Sequence, residues 1–263
     1  SRDFETGVEL GGAGAFAAAW SARPEARAKL GWLAAADLSE ALLGASAVTR
    51  AAIDEEQLAL KPASVDLIVS PLALHWTNDL PRALVEIRTA LKPDGAFLGA
   101  LFGGRTLTEL RECLTAAEVE ITGGAAARVS PMVRLEDAAG LLQHAGFAMP
   151  VADADAREVL YETPFDLLAD LRAMGETAAF ADPAPPLRRD VLARMAELYA
   201  ERHGTDGGRI RATFEIIHLH GWAPHPDQPT PKKPGSATVR LADALGAEEK
   251  PAGEKTGPAR SQS

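Results

Sequence analysis

The chain is short of cysteine, lysine and aromatic residues, and it has no long apolar run. Its one cysteine, Cys113, excludes an internal disulfide framework and a cysteine-ligated zinc site, which fits a reducing compartment. Seven lysines stand against twenty arginines, and with abundant alanine this points to a GC-rich bacterial genome. Charged or polar residues break every candidate for the roughly 18 apolar residues of a membrane span, residues 95–104 included, so no membrane insertion is expected. Positive charge is outweighed throughout. A formal net charge of −10 opposes a nonspecific grip on nucleic-acid phosphates or acidic membranes, leaving a small molecule or a basic partner. The chain starts at Ser1 without methionine or a signal-like segment, and is read as lacking its natural N-terminus.

What is present is enough for a substantial core: 263 residues, 46% of them hydrophobic. Strands are expected at 8–10, 32–36 and 48–53, with helices at 14–21 and 39–43 between them, an alternation that favours a parallel sheet. The segment SVDLIVS (64–70) is apolar almost throughout after its aspartate, as a strand covered on both faces should be. In residues 80–95 the helical spacing of Leu80, Leu84, Ile87 and Leu91 is stopped by Pro93 and Gly95, and AFLGALF (96–102) follows as another buried strand. Helices near 106–121, 135–144, 165–174 and 188–202 then dominate, interrupted by strand candidates at 149–161 and 212–222. One sheet with helical insertions accommodates all of this. The expected organisation is a single domain over 1–225, with a cofactor-binding half at 1–105 and the insertions plus last strands at 106–225. Residues 226–263 read as a mostly disordered tail with one short helix near 239–246.

The stretch GVELGGAGAF (7–16) reads as a strand running into a glycine turn and a helix, where free backbone N–H groups suit a polar cofactor. Two readings compete. Gly12 to Ala17 fits the dinucleotide pattern G-x-G-x-x-[GA], whereas Glu9 before Gly11 would receive an amino group and repel a pyrophosphate. Asp37 ends the second strand where a carboxylate for ribose hydroxyls belongs in either fold, and Asp54 follows the third, within reach of an adenine amino group.

At residues 65–111, through LALHWTNDLPRAL and LKPDG, the chain resembles class I S-adenosylmethionine-dependent methyltransferases. Through RVSP (128–131), LLQHAGF (141–147), DLRAMGE (170–176), RRD (188–190) and ATFEIIHLHGWAPH (212–225) it resembles the methyltransferase-like assembly factors of respiratory complex I and their alphaproteobacterial relatives. The malonyl-carrier-protein methyltransferases of biotin synthesis are similar through the first half only.

The resemblance implies a Rossmann-like α/β fold with a mostly parallel seven-stranded sheet and S-adenosylmethionine as cofactor. Glu9, Gly11 and Gly12 would form the cofactor loop, Asp37 with Leu38 the ribose side, and Asp54 with Glu55 the adenine side. Ser70 to His75 would line the floor by the methionine moiety, and His75 and Trp76 are the catalytic candidates, His75 as a general base or both as caps of the sheet. Where relatives carry D-x-G-x-G-x-G, this chain has Ala13 and Ala15, whose Cβ atoms strain a positive φ and fill space at the cofactor. His218, His220 and His225 could serve as metal ligands but read better as packed strand-end histidines, so no metal is assigned.

The expected function is an S-adenosylmethionine-dependent, methyltransferase-like protein acting on a protein partner, a complex I subunit, by methylation or by the arginine hydroxylation credited to the family. The alternative is a non-catalytic assembly factor with a degenerate cofactor site. The expected location is the bacterial cytoplasm, or the mitochondrial matrix for a eukaryotic chain. The sequence carries no sign of oligomeric state.

Overall fold

Seven strands make one sheet in the order β3-β2-β1-β4-β5-β7-β6 in a computed structural model, which describes residues 2–44, 48–177, 179–181, 184–228 and 246. The strands are β1 (Phe4–Leu10), β2 (Leu30–Asp37), β3 (Thr49–Ala52), β4 (Val65–Pro71), β5 (Leu91–Phe102), β6 (Ala148–Tyr161) and β7 (Ile210–Trp222). The first five run parallel to one another; β7 pairs antiparallel with both β5 and β6. The expected mostly parallel α/β sheet is therefore present, and the late strands join it rather than forming a separate layer. The expected 239–246 helix and nearly all of the 226–263 tail lie outside the described residues.

Burial explains the strand types. β4 is buried at five of its seven positions, as a central parallel strand covered on both faces must be, whereas the edge strand β6 is half-buried or exposed along its length. Eight α-helices connect the strands: α1 (Ala15–Ser21), α2 (Pro24–Lys29), α3 (Glu40–Leu43), α4 (Leu80–Ala90), α5 (Thr108–Thr122), α6 (Leu135–His144), α7 (Pro164–Met174) and α8 (Arg189–His203) among the described residues. On α4, Leu84 and Ile87 are fully buried and the Asp79 carboxylate caps the start by accepting from the Arg82 N–H at 3.0 Å.

Two details depart from expectation. The short helix α2 was not foreseen, although Pro24 at its first turn is a usual start signal. Helix α4 ends at Ala90, and β5 begins at once with Leu91, five residues before the expected strand. The pairing with β4 shifts register between Val65↔Leu91 and Leu67↔Ala96, so Pro93 and Gly95 sit in a bulge instead of ending a helix. A Cβ on Gly95 would meet the Lys92 carbonyl oxygen at 2.9 Å, which is why glycine fits there.

The core has separate compartments. One packs α4 and α6 against the sheet through Ile68, Phe97 and Leu142, and another packs Ala17 and Leu33 on the opposite side. The third belongs to the helical layer: Leu110 and Cys113 of α5, Leu167 and Leu171 of α7, and Met195 and Tyr199 of α8, against Ala212 and Phe214 of β7. Burial pushes the Cys113 thiol up to about 11, so this cysteine is a packing residue and not a reactive thiolate. Helix α7 is defined at both ends. Thr163 and Asp166 exchange side-chain-to-backbone hydrogen bonds at its start. At its end Gly175 turns left-handed (φ 82°), and the N–H of Glu176 donates back to the Leu171 carbonyl at 2.8 Å.

Candidate active site

Parallel strands deliver their following loops to one edge of the sheet, and the strand order reverses between β1 and β4, so that edge opens into a crevice. A cleft of about 800 Å³ lies there, lined by Gly11 to Ala13 after β1, Asp37 and Leu38 at the end of β2, Asp54 to Glu56 after β3, and Pro71 to Ala73 at the end of β4. Trp76, Phe102, Met174 and Glu176 close its far side.

The glycine loop is required by close approach. Gly11 (φ 70°) lies between β4's loop and Glu55; a Cβ would fall 2.2 Å from Ala73 Cβ and 3.1 Å from Glu55 Oε1. On Gly12 (φ 75°) it would meet Pro71 Cγ at 2.5 Å. Ala13 holds a left-handed conformation (φ 56°), which costs an L-residue roughly 1–2 kcal/mol. Its N–H donates to Asp37 Oδ2 at 3.2 Å, while the other Asp37 oxygen accepts from the Ser39 N–H at 2.9 Å. Ala15, by contrast, is ordinary right-handed helix (φ −63°), so the expectation of backbone strain there is wrong.

Glu9, Ser70 and His75 do not line the cleft. Glu9 is fully buried, and its oxygens accept from the Phe16 and Ala17 N–H groups at 3.0 and 2.8 Å, so the carboxylate anchors the N-terminus of α1. Burial raises its pKa, opposed by those two donors. Ser70 is buried behind the floor, and its Oγ has no hydrogen-bond partner. The floor itself is Pro71, Leu72 and Ala73.

His75 is held away from the cavity. Its side chain is 3% exposed, its ring stacks edge-on against Phe102 at 4.9 Å, and Nε2 lies 3.1 and 3.3 Å from the two Glu176 oxygens. The general-base candidate therefore stands behind a carboxylate. Trp76 does face the cleft, 41% exposed.

Glu176 was missed by the sequence reading because its role depends on a partner 101 residues away. The glycine before it was the available signal, since a left-handed turn at the end of α7 fixes where the next side chain goes. Glu56, also missed, accepts from the Asn78 backbone and, at 2.8 Å, from Asn78 Nδ2, tying the loop after β3 to the loop before α4.

The charge of the cleft has one sign. Asp37, Asp54, Glu55, Glu56 and Glu176 line it, with no lysine, arginine or histidine among its lining residues. Burial raises the Glu55 pKa, and the neighbouring Asp37, Asp54 and Glu56 charges add to the effect.

A second cavity, of about 330 Å³, adjoins the first in the helical layer and shares Trp76, Phe102 and Glu176 with it. Its walls are mainly apolar, from Leu110, Leu114, Leu171, Leu192 and Phe214. No group of three histidine, cysteine, aspartate or glutamate side chains is arranged to hold a metal ion among the described residues, so His218, His220 and His225 do not converge on one. No helix among them is long and apolar enough to cross a membrane.

A family model described as a methyltransferase domain matches residues 9–99, the stretch that carries the glycine loop, the acidic strand ends and β4. Over that stretch the chain is similar to the methyltransferase-domain family. A putative methyltransferase from Bacillus halodurans shares the fold, with a TM-score of 0.58, 14% identity, and coverage of 86% of this chain and 94% of that one. Among curated relatives, the arginine-hydroxylase NDUFAF5, mitochondrial, of Danio rerio is 44% identical over 190 residues, 72% of this chain and 59% of that protein. The malonyl-[acyl-carrier protein] O-methyltransferase of Methylovorus sp. is 32% identical over 192 residues, 73% of this chain and 62% of its own length. That similarity extends well beyond the first half, to which the sequence reading had confined it. The chain thus spans about three-fifths of the length of these relatives.

Proposed function

We propose that this chain binds S-adenosylmethionine in the strand-end cleft and acts on an arginine-bearing segment of a protein partner during assembly of respiratory complex I. The observation that carries the cofactor is the charge of the cleft: five carboxylates and no cation line it. A sulfonium and an ammonium group are stabilised there, whereas the pyrophosphate of a dinucleotide would be repelled. On this reading Gly11 and Gly12 line the cofactor's side of the cleft, Asp37 and Leu38 take the ribose, and Asp54 and Glu55 the adenine.

When bound, the cofactor supplies an electrophilic sulfonium methyl. The chain's own residues would orient it: Trp76 and Phe102 exclude water from the far side, and Glu176 fixes a negative charge at the boundary with the second cavity. The arginine follows from the likeness to the NDUFAF5 arginine-hydroxylases and the complex I partner from the sequence resemblance over residues 128–225, and whether the modification is a methyl or a hydroxyl group is read on the partner. Mass spectrometry of the co-expressed partner distinguishes a gain of one methyl group from a gain of one oxygen; an unmodified partner favours the assembly factor without turnover, the reading motivated by strained Ala13.

Calorimetry with S-adenosylmethionine tests the cofactor. Glu55 is raised above its ordinary 4.5, so in the free protein it favours the fold below that value and withdraws this stability as pH rises through its raised pKa. A cationic ligand favours the ionised form and reverses that preference. Affinity should therefore fall on acidification through the raised Glu55 range. No binding at millimolar cofactor would sink the proposal.

A further inference from the structure

The second cavity has one acidic group among its lining residues. Of its three charged lining residues, Arg128 is committed, with Nη2 and Nε donating to Glu118 Oε1 at 2.6 and 3.0 Å and Nη1 donating to the Pro185 carbonyl at 2.7 Å. Arg172 is exposed on α7. Glu176 remains, 14% exposed, at the place where the chamber meets the cofactor cleft.

The carboxylate is held from behind. Ionised, it accepts and cannot donate, so the His75 Nε2–H donates to it. His75 Nδ1 is buried without a hydrogen-bond partner, so the ring's polar contact is the one Nε2 makes with Glu176, which fixes the orientation of the carboxylate. One N–H uses a fraction of the four or so acceptor sites of a carboxylate, and the remainder faces the two cavities. The left-handed turn at Gly175 and the Glu176 N–H bond to Leu171 fix the backbone beneath it.

We infer that this chamber receives the acceptor side chain, an arginine whose methylene stem lies against Leu110, Leu114 and Phe214 and whose guanidinium meets Glu176, with His75 as the positioning residue. The inference rests on the proposed function for the identity of the acceptor, and adds the site that would recognise it. An apolar tube ending in a fixed carboxylate suits a long side chain with a cationic tip, since the stem gains from burial and the charge finds a partner. A neutral chain of the same shape would leave Glu176 partly desolvated without compensation.

The test is titration of the protein with Nα-acetyl-arginine methylamide and with the corresponding citrulline amide, an uncharged isostere, followed by NMR. The wild type should bind the arginine probe at least about tenfold more tightly. Glu176→Gln should erase that preference, and His75→Asn should weaken arginine binding several-fold while leaving citrulline binding unchanged, which a merely structural role for His75 would not do. Equal binding of the two probes by the wild type overturns the inference even if no variant folds. So does a preference that survives Glu176→Gln or disappears in Arg172→Ala. Calorimetry with S-adenosylmethionine on the same wild-type sample separates the two claims: absent cofactor binding removes the proposed function, while loss of the arginine preference alone removes the chamber assignment.

Discussion

The cleft at the strand ends is walled by backbone and carboxylates, whereas the chamber beside it is walled by the side chains of three helices and β7. In the cleft, shape comes from Gly11 and Gly12, where a single added carbon would collide with Ala73 or Pro71. In the chamber, shape comes from the side chains of leucines and a phenylalanine. The difference teaches where each kind of change should act. The backbone-built site is intolerant of volume, and the side-chain-built site is tunable.

The most severe way to break the comparison is Gly11→Ala. It adds overpacking to an unfavourable positive φ, and is expected to cost about 3 kcal/mol in urea denaturation and to abolish the calorimetric S-adenosylmethionine signal. A well-folded variant that keeps its cofactor would show that the cleft is not backbone-limited. Leu110→Ala, in the chamber, is expected to cost about 2 kcal/mol, the low end for a buried leucine because the side chain already borders empty space. Cofactor affinity should not change with it; a tenfold loss would mean that the two cavities are not separately built. The smallest effect is Ala13→Gly. Relief of the left-handed strain exceeds the added freedom of the unfolded chain only slightly, so a gain of about 0.5 kcal/mol is expected, together with tighter cofactor binding. A loss of stability would show that Ala13 is not strained in solution.

The cleft was far more legible in the sequence than the chamber, for a physical reason. Its residues lie at successive strand ends, so alternation of strands and helices already places Gly11, Asp37 and Asp54 on one edge. What could not be read was the direction of individual carboxylates. Glu9 looked like a ligand residue because it precedes the glycine turn, yet it is fully buried and caps α1. Ser70 failed similarly, being one residue too early on β4 to emerge from the sheet. The chamber depends on α5, α7 and α8 meeting, contacts between segments far apart in the chain that no local pattern encodes. The segment DLRAMGE was recognised as distinctive, but its glutamate acquires meaning only once the fold places it on His75.

Trp76, Phe102 and Glu176 are a party wall, each belonging to both cavities at once. Any rotation or change of ionisation that one occupant imposes on these three side chains is presented to the other occupant as a different surface. By thermodynamic reciprocity, whatever factor the first ligand applies to the affinity of the second must be returned in equal measure. The coupling between the two cavities is then a property of this wall, and cofactor titrations run with and without the arginine probe would measure it directly.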